Sequence, residues 1–133
     1  MDIAEAVRDW VAGALGPDVE TAYGELPDAP VACEVKSSPG DPWVRRYLSG
    51  GGIKRFAYEL YLRVQPRGSE ARRFDALSAL RGLQARIEAH EAPDAGVAWT
   101  GHEVTQCPNE YTVEKDGRAV YQMKAVLTYH ERG

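Results

Sequence analysis

A chain of 133 residues with 44% hydrophobic and 27% charged residues has the size and composition of one folded domain, which argues against extensive disorder. Its net charge of −4 argues against a protein that binds nucleic acid through phosphate contacts, because such proteins need a basic face. The N-terminus lacks the basic start and apolar block of a signal peptide, and no segment has the roughly 20 apolar residues that cross a bilayer. We therefore expect a single domain over residues 1–133, folded in the cytoplasm and without a membrane partner.

The first predicted element is a helix over residues 2–15. Its apolar residues recur at helical spacing and form one stripe: Ile3, Val7, Trp10, Val11, Ala14 and Leu15. Asp2 and Glu5 resemble a capping box at the start. Gly16 and Pro17 end the helix.

Two short strands are predicted next, over residues 19–24 and 31–36. The second alternates apolar and polar residues, as expected of a strand with one buried face. Within it, Cys33 alternates with Val31 and Val35, so we expect a small buried residue and not one half of a disulfide framework.

A turn-rich linker, Ser37–Pro42, leads to an extended segment over Trp43–Leu48. Three glycines, Gly50, Gly51 and Gly52, then interrupt the pattern. The longest predicted strand, Ile53–Gln65, follows them. One of its faces is apolar and consists of Phe56, Tyr58, Leu60, Leu62 and Val64.

The second predicted helix covers Ser69–His90, with Ser69 as its N-cap. Its predicted core stripe consists of Phe74, Leu77, Leu80, Leu83 and Ile87.

The last third of the chain is again extended. Val97–Gln106 is a predicted strand with a weak point or bulge at Gly101. Tyr111–Lys115 and Arg118–Tyr129 are the predicted arms of a hairpin, joined by Asp116-Gly117 in a type I′ turn.

Strands that cluster in blocks between two helices predict an α+β fold, with a mostly antiparallel sheet and both amphipathic helices packed on one face. The other face is then either wet or an interface. We expect it to carry Arg55, Glu59, Arg63, Gln122, Lys124 and Thr128.

Residues with catalytic or ligand-binding chemistry do not form a known motif. His90, His102 and His130 each precede a Glu, but none has a second His at the spacing of a zinc-protease helix, so we expect solvated histidines. The five-residue offset between His102 and Cys107 places them on opposite faces of an ideal strand. Gly50–Gly52 lead into a strand, whereas a phosphate loop leads into a helix, so we expect a flexible hinge or a tight strand-to-strand turn there. We predict no catalytic residue, no cofactor and no metal site.

Basic and aromatic residues surround the glycine run, and a protein-facing role for them is favoured over a nucleic-acid role. Trp43, Tyr47 and Phe56 are expected to be needed mainly for the core, with an anchor in a neighbouring subunit as the alternative for Trp43. The interface candidates are Arg45, Arg46, Gly50, Gly51, Gly52, Lys54 and Arg55.

At these residues the sequence resembles a known family. The stretch Asp41–Arg63, DPWVRRYLSGGGIKRFAYELYLR, is similar to the small minor capsid proteins of phages and prophages of Gram-positive bacteria. Those proteins carry Asp-Pro, an apolar-basic stretch that ends in Tyr, a Gly-Gly turn and a long aromatic-rich strand. The block Tyr111–Glu131 resembles their closing hairpin, with its Tyr-Gln pair at Tyr121-Gln122 and an apolar-Tyr ending at Tyr129.

This resemblance implies a tail terminator and not an enzyme. Such a protein forms a ring, usually a hexamer, on the finished tail tube, stops its polymerisation and presents a surface to the head connector. The implied partners are further copies of the chain, the major tail tube protein and the connector or stopper protein. The implied location is the virion, at the tail or head–tail junction, after assembly in the bacterial cytoplasm.

Two alternatives remain open. Another head–tail joining component, such as a stopper or completion protein, fits the composition equally well. A small ligand-binding or enzymatic α+β domain would need a concave site with convergent polar groups, for example a buried pocket that holds His102 with a carboxylate.

Overall fold

The computed structural model describes residues 2–65 and 70–132. Within them the chain forms two helices and a six-stranded, mostly antiparallel sheet, so the predicted α+β class is confirmed. In chain order the elements are α1 (Ile3–Leu15), β1 (Glu20–Tyr23), β2 (Val31–Ser37), β3 (Trp43–Arg46), β4 (Gly52–Val64), α2 (Glu70–Glu88), β5 (Ala98–Val113) and β6 (Ala119–Glu131). The predicted N-cap Ser69 lies outside the described residues.

The sheet has the strand order β1-β2-β4-β6-β5. The long strands β4 and β6 pair from Gly52↔Glu131 to Val64↔Ala119 and form its centre. The seven-residue strand β2 pairs with the second half of β4, and β3 pairs with the first residues of β4. Every pairing is antiparallel except that of β1 with β2.

Helix α1 follows its sequence signals closely. The Glu5 backbone N–H donates to Asp2 Oδ2 at 3.2 Å, which satisfies one free donor of the first turn. Val7 and Val11 are fully buried, and the rest of the predicted stripe packs against the same core. Gly16 ends the helix with a φ of +90°. The predicted helix is confirmed, with Asp2 as its N-cap and Gly16 as its C-cap.

Helix α2 confirms most of its predicted stripe. Leu80, Leu83 and Ile87 are buried, and each such side chain stabilises the fold by about 2 kcal/mol relative to exposure. Phe74, predicted in the core, is 57% exposed, because it lies in the first turns of the helix, where Ala76 takes the buried position.

The end of α2 is set by His90, which sequence analysis named as the last residue of the predicted helix without predicting its backbone conformation. His90 has a φ of +65° and is the one non-glycine residue with a positive φ in the described part of the chain. Its N–H donates to Ile87 O, and the Glu91 N–H donates to Arg86 O, both at 3.0 Å. This pair of bonds is a Schellman motif with histidine at the position where glycine is preferred.

The core lies between the two helices and one face of the sheet. The predicted apolar face of β4 is confirmed, since its tyrosine, leucines and valine are buried and Phe56 packs against them. Cys33 is also fully buried, as its alternation with valines predicted. Burial raises the pKa of its thiol to about 12, so the residue acts as a small apolar side chain.

The opposite face of the sheet is drier than the prediction of a wet or interface surface suggests. Its less buried predicted members are Arg55, Lys124 and Thr128. Its buried ones are Glu59, Arg63 and Gln122, with exposures of 9%, 6% and 6%. Glu59 accepts from the hydroxyls of Ser38 and Tyr61, Gln122 is bonded to Tyr61 and Gln106, and Arg63 donates to the Pro27 carbonyl oxygen.

The predicted break between two C-terminal strands is wrong. Ala98–Val113 forms one strand, which pairs with β6 through several register shifts. One shift lies between Trp99 and Gly101, where a bulge was predicted, and another lies between Gln106 and Asn109. The second shift accommodates a proline without ending the strand.

The turn between β5 and β6 is not type I′, which needs a positive φ at both central residues. Gly117 has a φ of +90°, but Asp116 is not among the positive-φ residues of the described chain. The Gly117 N–H donates to Glu114 O and the Glu114 N–H donates to Arg118 O, both at 2.8 Å. This is the pattern of a type I turn followed by a glycine bulge, which adds one residue to the loop.

Candidate functional site

The candidate surface is the hairpin formed by β3, the glycine turn and the start of β4. The Gly50 N–H donates to Tyr47 O at 3.1 Å, and the Tyr47 N–H donates to Gly51 O at 3.0 Å. Gly50 and Gly51 have φ values of +96° and +73°, which glycine adopts without steric cost. The predicted hinge or tight turn is therefore a tight turn with its own hydrogen bonds.

Gly52 is required for a second reason. An added Cβ would lie 2.0 Å from Arg45 O and 3.0 Å from the Cα of Arg46. Both atoms belong to the backbone of β3, which cannot move away without leaving the sheet. The third glycine thus allows β3 and β4 to approach each other at the point where the hairpin begins.

Trp43 is not a core residue, contrary to the sequence-based expectation. Its ring is half-buried and contacts two cations, with the Arg46 guanidinium 4.4 Å and the Lys54 ammonium 4.7 Å from its centre. Lys54 Nζ also lies 3.9 Å from a carboxylate oxygen of Glu131. These contacts hold the base of the hairpin in one conformation, with cation–π attractions of about 0.5–1 kcal/mol each at such a site.

The tip of the hairpin presents large apolar side chains that sequence analysis did not nominate. Leu48 is fully exposed, and Val44 and Tyr47 are 49% and 40% exposed. Tyr47 was expected in the core, yet its only recorded aromatic neighbour among the described residues is His130, at 6.2 Å between ring centres. A leucine directly before the Ser-Gly-Gly-Gly turn was the available signal for an exposed apolar tip.

The nominated interface residues all lie on this hairpin. Its two β3 arginines and Arg55 are exposed, and Lys54 is half-buried against Trp43. Pairing places Arg45 opposite Ile53 and Arg46 opposite Gly52. The hairpin is therefore one basic and apolar surface, not a set of separate charged positions.

The charge of this surface opposes that of the remainder of the protein. Residues 43–55 contain four basic residues and no acidic residue. Since the whole chain has a net charge of −4, the remainder carries −8. A localised positive patch on a negative body favours association with an acidic protein surface over general phosphate binding.

A second polar cluster crosses the sheet face opposite the helices. Ser38 Oγ donates to Glu59 Oε2 at 2.8 Å, and the Tyr61 hydroxyl donates to the other oxygen of Glu59. Gln122 Nε2 donates to Tyr61 at 3.2 Å, and Gln106 Nε2 donates to Gln122 Oε1 at 3.1 Å. The cluster therefore links the residue that follows β2 with β4, β6 and β5 through side chains.

The protonation state of this cluster favours a structural role. Burial opposes ionisation of Glu59, but the bonds from Tyr61 and Ser38, together with the charges of Lys124 and Lys36, outweigh it and lower the pKa of Glu59. Burial and the Glu59 carboxylate raise the pKa of Tyr61 to about 12. A carboxylate held ionised by two donors, beside a tyrosine held protonated, is a poor proton carrier near neutral pH.

His102 departs most from its predicted setting. It is 6% exposed, not solvated, and its ring lies 5.4 Å from that of Trp10. Nδ1 lies 2.7 Å from Glu91 O, a backbone acceptor, so Nδ1 carries the proton and Nε2 accepts from the Tyr58 hydroxyl at 2.7 Å. Burial lowers the pKa of His102, although the bond to Glu91 acts in the opposite direction. The lowered pKa keeps the imidazole neutral.

The hydrogen-bond partners of His102 differ from those of the enzyme alternative. Its partners are a backbone carbonyl and a tyrosine, not the carboxylate that would have favoured an enzyme. His102 and Cys107 line one shallow depression of about 430 Å³, so the predicted opposite placement is wrong. The register shifts of β5 explain this, because each one resets the alternation of faces. His90 and His130 are exposed, as predicted.

Neither a metal centre nor a membrane helix is found within residues 2–65 and 70–132. No group of His, Cys, Asp and Glu side chains in this part of the chain is arranged to hold a metal ion. Neither described helix is both long and apolar enough to span a bilayer.

Comparison with known proteins shows similarity of fold only. No family model matches the chain, and no curated protein matches it. One solved structure is similar over 97% of this chain and 89% of the other, with a TM-score of 0.55 and 15% sequence identity. At that identity the likeness extends to the arrangement of helices and strands and carries no function with it.

Proposed function

We propose that this protein is a virion assembly protein of a tailed phage or prophage, and specifically a tail terminator. It would form a ring on the end of the tail tube, stop tube growth and offer a surface to the head connector. The observation that carries the proposal is the β3–β4 hairpin, Trp43–Arg55, a rigid basic loop with an exposed apolar tip in the segment that resembles the family.

The two segments that carry the resemblance are neighbours in space. The first contains β3 and most of β4, and the second contains β6 and the end of β5. Strands β4 and β6 pair along their whole length. The resembling residues therefore form one continuous unit, which supports a shared architecture over a chance match of two distant stretches.

The chemistry of the hairpin suits a protein partner. Exposed apolar side chains and a tyrosine beside arginines suit a protein interface, because interfaces are enriched in aromatic residues and Arg and have an apolar centre. A conformation fixed by the glycine turn and the Trp43 contacts reduces the entropy lost on binding. A ring of identical subunits multiplies such a contact around its axis, so modest individual contacts suffice.

The test is whether the protein limits tail-tube growth. The tube protein encoded in the same genome is polymerised with and without this chain, and tube lengths and end-on rings are measured by negative-stain electron microscopy. We expect shorter tubes with capped ends. Leu48→Ser and Arg45→Glu/Arg46→Glu should abolish capping, whereas Arg81→Glu, a charge reversal on the exposed face of α2, should not.

Two results would contradict the proposal. Unchanged tube lengths, with no protein on tube ends, would exclude a terminator. Binding to the purified connector without binding to tubes would instead support the alternative, a stopper or completion protein.

A further inference from the structure

The sheet has a stepped edge. Strands β3 and β6 both pair with residues 52–54 of β4, so they lie on opposite sides of it. Strand β3 is therefore on the same side as β2, and β1 lies one strand further out than β2. This edge is formed by β3 at one end and by β1 at the other, with β1 one inter-strand spacing further from β4.

Both strands of this edge have an unpaired outer side in the described part of the chain. Each contains four residues, and the recorded pairings are β1 with β2 alone and β3 with β4 alone. The outer N–H and C=O groups of such strands are a template for pairing with another strand.

The two ends of the edge carry opposite charges. Residues 16–30, which include β1, contain four acidic residues and no basic residue: Asp18, Glu20, Glu25 and Asp28. The β3–β4 hairpin contains four basic residues and no acidic residue. Asp18 and Glu20 are exposed, as are Arg45 and Arg46.

We propose that this edge pairs with the same edge of a second copy about a two-fold axis normal to the sheet, so that β1 of each copy lies against β3 of the other. The steps then interlock. At both ends of the contact the path from one β4 to the other crosses β3, β1 and β2, which is four spacings or about 19 Å.

Strand directions and charges agree with this arrangement. Strands β1 and β3 both run antiparallel to their own β4, and the two-fold axis reverses one copy, so β1 and β3 meet antiparallel. The acidic segment of each copy faces the basic hairpin of the other, and this happens twice per dimer. An edge without charge, or with charges of one sign only, would not favour pairing with the same edge of a second copy.

The proposal rests on the self-association in the proposed function, but its contact differs from that of the ring. All subunits of a head-to-tail ring have the same orientation along the ring axis, whereas the two copies of a two-fold dimer have opposite orientations. The dimer is thus the form of the free protein, which covers the sheet edge until the tube end competes for the hairpin.

The experiment uses analytical ultracentrifugation of the full chain. The 14.7 kDa protein should sediment as a dimer that weakens as NaCl is raised, because the salt screens exposed charges. Arg45→Glu/Arg46→Glu and Asp18→Lys/Glu20→Lys should each raise the dimer dissociation constant roughly 100-fold, since like charges then meet twice. Arg81→Glu serves as the matched control, and circular dichroism verifies folding of each variant.

The decisive sample is an equimolar mixture of the two reversed variants. Each contact in the mixed dimer again joins opposite charges, so a heterodimer should form although neither variant dimerises alone. A wild-type monomer at low salt, reversed variants that still dimerise, or a mixture that stays monomeric would overturn the proposal. So would a mixture that forms rings instead of dimers. Tube capping is a separate readout, so a failed dimer leaves the terminator proposal standing, and the reverse also holds.

Discussion

Replacing Gly52 with alanine tests the account of the hairpin most directly. The residue has a φ of +150°, a region that is essentially confined to glycine and costs other residues about 1–3 kcal/mol. The new Cβ would also lie 2.0 Å from Arg45 O, and a backbone oxygen cannot rotate away. Strand β3 must therefore leave β4, or the turn must distort.

The loss of stability cannot exceed the cost of the cheaper response, which is either the release of β3 or the distortion of the turn. Releasing β3 removes its pairing at Trp43↔Lys54, Arg45↔Ile53 and Arg46↔Gly52. With about 1 kcal/mol for each backbone bond, the release costs about 3 kcal/mol. We expect Gly52→Ala to lower the free energy of unfolding by about 2–3 kcal/mol in urea titrations followed by circular dichroism.

Gly82→Ala is the matched control, because Gly82 lies inside α2 and its added Cβ would meet nothing within 4 Å. It should raise stability by about 0.5–1 kcal/mol. Hydrogen exchange locates the damage in Gly52→Ala, where the amides of Tyr47 and Arg55 should lose protection. If Gly52→Ala unfolds within 0.5 kcal/mol of the wild type and both amides stay protected, the close approach of β3 and β4 is wrong.

Three further predictions concern His102 and the end of α2. Because burial lowers the pKa of His102, the unfolded chain binds a proton at this residue more readily than the folded chain does. The stability that depends on a neutral His102 is therefore complete above about pH 6.5 and is lost as the pH falls below that value. Urea midpoints at pH 7.5 and pH 5.5 should therefore differ more for the wild type than for His102→Gln; equal differences would refute the assignment. Tyr58→Phe leaves Nε2 of the buried ring without its donor and should cost about 1–3 kcal/mol in the same titration at pH 7.5, a loss that should largely disappear in the His102→Gln background. His90→Gly relieves a positive φ at the helix end and should raise the free energy of unfolding by about 1 kcal/mol, whereas a neutral or negative effect would mean that His90 makes a compensating contact.

Sequence analysis was most accurate where neighbours along the chain decide the conformation. The helix over Ile3–Leu15 and the long strand that begins at the glycine run follow from periodicity and from stop signals. Two of the wrong predictions concern the local geometry of β5 and the turn that follows it. Alternation failed after the first register shift in β5, because a bulge moves each following side chain to the other face. The turn type failed because Asp-Gly is compatible with two loop lengths.

The position of the candidate hairpin was predicted from the sequence, but the exposure and the contacts of its side chains were not. The basic residues and glycines between Arg45 and Arg55 were visible as a cluster around a turn. The placement of the hairpin at the end of the sheet decides that Leu48 is exposed to solvent. The same placement decides that the Trp43 ring contacts Arg46 and Lys54. Large apolar residues are usually buried, so sequence analysis placed Trp43 and Tyr47 in the core.

The sequence by itself determined where this chain turns, where it is helical and which strand faces are apolar, because these properties depend on residues a few positions apart. Only the tertiary structure decided which polar groups are buried, since burial depends on what the rest of the chain places above a residue. His102 is buried because Trp10 and the end of α2 lie against it. The same holds for the sheet edge, where the acidic strand β1 and the basic strand β3 lie on one side of β4 although about 20 residues separate them in the chain.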